Sequence, residues 1–128
     1  MPHILVIDDD HLVRAATKAM LTAKGYDVDV AANGPDGVEL ANKHKFDVVI
    51  VDLFMPGMDG LKVIETIRET DVEVPMIAVS GFMFGGECPT MPHFDSMAAE
   101  AGAGSTLYKP FRPDALVNAV EKAMTARV

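Results

Sequence analysis

Three short runs of the chain are apolar at every position: Ile4-Leu5-Val6-Ile7, Val48-Val49-Ile50-Val51 and Met76-Ile77-Ala78-Val79. None alternates with polar residues, so each reads as a strand buried on both faces, the signature of a parallel sheet covered by helices. Weaker strands are expected at Val28-Asp29-Val30-Ala31 and Ser105-Thr106-Leu107-Tyr108. Between them the apolar spacing becomes helical. Residues 11–24 carry Leu12, Val13, Ala16, Met20 and Leu21 toward one side, with Gly25 as a stop. Residues 35–45 open on Pro35 and offer Val38 and Ala41. Residues 60–69 follow Asp59, a candidate N-cap, and present Leu61, Ile64 and Ile67. Residues 113–126 carry Leu116, Val117, Val120, Ala123 and Met124.

This alternation predicts an α/β fold, a doubly wound five-stranded parallel sheet flanked by helices on both faces. Such sheets bind ligands beyond the carboxyl ends of their strands. Polar residues do gather there: Asp8-Asp9-Asp10 after the first strand, Asp52 after the third, Ser80 after the fourth and Lys109 after the fifth.

Composition narrows the classes. At 128 residues the expectation is one domain over 1–128, with no internal repeat or linker. A formal charge of −8 argues against a nucleic-acid surface. No apolar run approaches a membrane span, no leader is evident, and the single Cys88 excludes an internal disulfide. A cytoplasmic protein is expected.

Asp8, Asp9 and Asp52 should converge, and clustered carboxylates repel unless a cation offsets them. A hard divalent ion such as Mg²⁺ suits oxygen ligands and leaves room for phosphate oxygens. With a lysine and a hydroxyl added, the set suits phosphoryl transfer, Asp52 being the natural nucleophile. Each piece alone has a bland explanation. The aspartate run could cap a helix, Asp52 and Ser80 could sit in turns, and Lys109 could be a solvated surface lysine. Their shared position at strand ends is harder to dismiss.

The text Ile4–Asp10, then Asp47-Val48-Val49-Ile50-Val51-Asp52-Leu53-Phe54-Met55-Pro56-Gly57-Met58-Asp59-Gly60, Pro75–Gly81 and Leu107-Tyr108-Lys109-Pro110-Phe111 resembles the receiver domain of bacterial response regulators, the CheY-like family. The resemblance covers essentially the whole chain. It implies that Asp52 accepts phosphate from a phosphohistidine. It implies that Asp9, Asp52 and the Phe54 main-chain carbonyl ligate Mg²⁺, with Asp8 helping through water. It further implies that Lys109 pairs with the phosphate, that Ser80 hydrogen-bonds it, and that Lys109-Pro110 is cis.

Three features depart from the usual pattern or add to it. The aromatic switch expected three residues before the lysine is Thr106, with Tyr108 on the same side of the strand. The segment from Gly81 to Ala103 is long and Gly/Pro-rich, and holds Phe82, Phe84 and several methionines. It either packs under a long loop with a shortened helix or forms a docking surface. Phe54 is apolar where a polar residue could align water, so slow loss of the phosphoryl group is expected.

The partners implied are a sensor histidine kinase or histidine phosphotransfer protein and a downstream protein target. Since the last helix is followed closely by Val128, no output domain is expected, and the output would be protein contact or onward transfer. Two alternatives fit less well. A phosphatase of the haloacid dehalogenase type needs a second aspartate at the position of Phe54, and a scaffold has no need of all five polar residues.

Overall fold

The computed structural model describes residues 2–54, 60–80, 99, 101–108 and 111–126. Along the chain these form β1 (His3–Ile7), α1 (His11–Thr22), β2 (Asp27–Ala31), α2 (Gly34–Lys43), β3 (Val48–Asp52), α3 (Gly60–Thr70), β4 (Met76–Ser80), β5 (Ser105–Tyr108) and α4 (Pro113–Ala126). The strands make one sheet in the order β2-β1-β3-β4-β5, and every pairing is parallel.

Strand alternation builds two cores. Leu5, Ile7, Val49, Val51 and Ala78 face α3, where Val63, Ile64 and Ile67 are buried, with Val38 and Ala41 of α2 alongside. Ile4, Val6, Val48, Ile50, Ile77 and Val79 face Leu21 of α1 and Leu116 and Val120 of α4. Helices therefore cover both faces, and the three interior strands have no polar side, which explains their unbroken apolar runs. β2 and β5, at the edges, keep partly exposed residues and gave the weaker patterns.

The helix bounds fall within two residues of the sequence expectation, and α1 corrects its face. Leu12 is 76% exposed and Ala16 is exposed, whereas Thr17 and Leu21 are buried. The inward stripe is Val13, Thr17, Met20 and Leu21, and a threonine on it hides the periodicity. The cap expected at Asp59 lies outside the described residues. Among the described residues no helix is long and apolar enough to cross a membrane.

One glycine is set by close approach. A Cβ on Gly60 would collide with the Asp52 carbonyl group and the Leu53 Cα, and the Gly60 amide donates to the Leu53 carbonyl at 3.2 Å. The start of α3 thus rests on the backbone at the end of β3. Gly60→Ala should lower stability by about 1–3 kcal/mol, as overpacking does. Urea denaturation with an unchanged slope and a lower midpoint is the expected result.

Candidate functional site

Because all five strands run the same way, their carboxyl ends meet along one edge. Asp8 directly follows β1, Asp52 is the last residue of β3, and Ser80 is the last of β4. β1 and β4 are the two neighbours of β3, so Asp52 lies between them. Asp8, Asp52 and Ser80 are all buried, at 3%, 3% and 1% exposure, while Asp9 is exposed. One carboxylate oxygen from each of Asp8, Asp9 and Asp52 lies within 4.8 Å of the others. The structure therefore brings together the three aspartates that the sequence pattern singled out.

The aspartate run divides its labour. Asp10 is the N-cap of α1, its carboxylate accepting from the amides of Leu12 at 2.9 Å and Val13 at 3.3 Å. That satisfies helix donors that would otherwise face the cluster. Asp8 and Asp9 remain for the site. Asp8 is held at three points: its amide donates to Ala31 O at 3.1 Å, its Oδ1 accepts from the Asp10 amide at 2.9 Å, and its carbonyl accepts from Arg14 Nη1 at 2.9 Å. Asp52 is oriented from its own turn, Oδ1 accepting from the Phe54 amide at 3.1 Å.

Arg14 is the residue that sequence reasoning missed. Six positions past Asp8, it counts as polar surface until the helix start is known. Side chains in the first turn lean back toward the helix N-terminus, and here that aims the guanidinium at the β1–α1 turn. A cap at residue 10 is the signal that would have found it.

Two like charges 4–5 Å apart repel by about 1 kcal/mol in water and several times more near a protein surface. A hard divalent cation relieves this, and an all-oxygen set with two buried carboxylates fits one. Lys109 and Pro110 lie outside the described residues, as do residues 55–59 and 81–98. Phe54 lies at the rim, 39% exposed. Thr106 pairs in register with Ala78, and Tyr108 with Ser80. Tyr108 is thus the strand neighbour of the buried hydroxyl, although it is 44% exposed.

A parallel sheet in this order thus carries a carboxylate cluster at the end of its central strand. The family model "Response regulator receiver domain" matches residues 4–121. The chain belongs to that family of phosphoryl-accepting signalling domains. It is 32% identical to transcriptional regulatory protein DltR of Streptococcus agalactiae over 114 residues, 89% of this chain and 48% of that protein. It is 34% identical to transcriptional regulatory protein GlrR of Escherichia coli over 123 residues, 95% of this chain and 26% of that one. The receiver domain of Francisella response regulator 1452 superposes with a TM-score of 0.86 at 26% identity, each chain covered completely. The chain spans about half or less of the length of the curated relatives it matches.

Asp9 has no ion pair among the described residues, so its charge only adds to the repulsion when no cation is present. Asp9→Asn should raise the melting temperature of chelator-treated protein by about 2–4 °C. It should also blunt any further rise on addition of Mg²⁺. Calorimetry with and without Mg²⁺ checks both, and a fall in the chelated state would contradict the repulsion.

Proposed function

We propose that Asp52 takes a phosphoryl group from a phosphohistidine, and that the resulting aspartyl-phosphate controls contact with a downstream protein or is passed onward. The observation that carries this is the buried Asp52 carboxylate, held by the Phe54 amide at the end of β3 with Asp8 and Asp9 beside it. In the transfer an Asp52 oxygen forms the new bond to phosphorus as the N–P bond of the donor breaks. The electron pair returns to the imidazole, which takes up a proton.

Mg²⁺, held by Asp9, Asp52 and the Phe54 carbonyl with Asp8 through water, would neutralise the carboxylates and the phosphoryl oxygens. The Ser80 hydroxyl donates to one phosphoryl oxygen, and Lys109 supplies a fixed positive charge to another. Phe54 places an apolar ring beside the acceptor, so no side chain there steers water onto the phosphoryl group.

The donor is a sensor histidine kinase or histidine phosphotransfer protein. Leu12, the exposed apolar residue on the first turn of α1, supplies with Phe54 an apolar rim for it around the acidic cluster. Relatives named as transcriptional regulators raise a DNA-directed output. With a formal charge of −8 the receiver itself is a poor DNA surface, so we place such an output in a partner or another segment.

Incubation with Mg²⁺ and acetyl phosphate should add one phosphoryl group by intact mass, and Asp52→Asn should abolish the gain. No gain in the unaltered protein would overturn the assignment. Leu12→Asp should leave this labelling unchanged while slowing transfer from a phosphorylated histidine protein by about tenfold. Phe54→Asn should shorten the lifetime of the phosphorylated form severalfold, and equal lifetimes would remove the role given to Phe54.

A further inference from the structure

At the opposite end of the sheet from the carboxylates, a cavity of about 400 Å³ opens beside the amino ends of β4 and β5, between the last turn of α3 and the last turns of α4. Its size falls within the range of small-molecule sites. Val74, Pro75, Met76 and Ala123 supply apolar lining, Arg68 and Lys122 supply cations, and the acidic Glu73 also lines the cavity. Val72, on the rim, is left 75% exposed.

Arg68 has an unusual set of partners. Its Nη1 donates to the Asp71 carbonyl at 3.2 Å and its Nη2 to the Gly102 carbonyl at 2.6 Å, both neutral groups. The nearby Asp71 carboxylate accepts from the amides of Glu73 and Val74 through Oδ1, each at 3.0 Å, and still attracts the Arg68 guanidinium. The position is also built for the guanidinium. Gly102 has φ +128°, and a Cβ there would stand 2.8 Å from Arg68 Nε. Burial pushes the Arg68 guanidinium below its ordinary range, more than the attraction of Asp71 restores. The carbonyl end of α3 offers it only partial negative charge. Among the described residues neither Arg68 nor Lys122 forms an ion pair with a carboxylate. Arg68 and Lys122 outnumber Glu73 among the charged residues lining the cavity, which leaves a place for an anionic head from outside.

We propose that this cavity binds a small amphipathic anion, its apolar body against Val74, Pro75, Met76 and Ala123 and its charged head toward Arg68 and Lys122. A bound anion would add to the attraction that Asp71 already gives Arg68, offsetting more of the cost of its burial.

The test is a titration of the isotope-labelled full chain, followed by amide chemical shifts, with three probes: 4-phenylbutyrate, 4-phenyl-1-butanol and inorganic phosphate. The carboxylate should shift the amides of Met76, Gly102, Gly104 and Ala123, saturating in the millimolar range. The alcohol and phosphate should each bind at least about fivefold more weakly. Ala123→Leu, which fills the cavity, should abolish the shifts, and Lys122→Glu should weaken binding several-fold while the remaining spectrum keeps its native dispersion. Alcohol binding as tight as the acid would make the pocket merely apolar and overturn the proposal. So would phosphate matching the carboxylate, which means surface charge alone, or the absence of any saturable shift at those amides.

Discussion

A carboxylate with 3% exposure is costly wherever it sits, and Asp52 ends the central strand, where Asp8 and Asp9 after the neighbouring β1 bring further carboxylates to it and β4 ends on Ser80. The parallel direction of all five strands makes this possible. Turned the other way, either neighbour of β3 would send its terminal polar residue to the far edge of the sheet. The apolar runs that force a double-sided core therefore also dictate where polar groups converge. Packing on the two faces and chemistry at the edge are consequences of the same strand direction.

That link explains how much of the molecule was legible in its sequence. β1, β3 and β4 were plain because burial on both faces leaves no polar position to blur the pattern. The edge strands were fainter for the complementary reason, since Asp27 and Asp29 of β2 reach solvent at least in part. The inward face of α1 was misjudged because Thr17 occupies a core position and Leu12 does not. Linear spacing weighs residue type and has no access to a hydroxyl buried within a helix stripe.

The site was legible to the same depth. Asp8, Asp9 and Asp52 could be placed together by strand ends alone. How three consecutive aspartates divide their roles could not, because capping depends on where the helix begins. Arg14 was invisible for the same reason: its partner is a main-chain carbonyl, and no side-chain pattern marks it. The aspartate run is thus a cap and a cluster at once, with the boundary falling between Asp9 and Asp10.

The contact at Gly60 carries a mechanical consequence. α3 spans 11 residues, a rod of roughly 16 Å at the usual rise. One end bears on the backbone of Asp52 and Leu53, and its last turn carries Arg68 to the carbonyl of Gly102. With no side chain at Gly60 to yield, a displacement of the Leu53 backbone has little slack to absorb it before the helix is pushed. The two ends of the sheet are therefore joined by a single stiff strut, and the loop leading into β5 hangs from its far end.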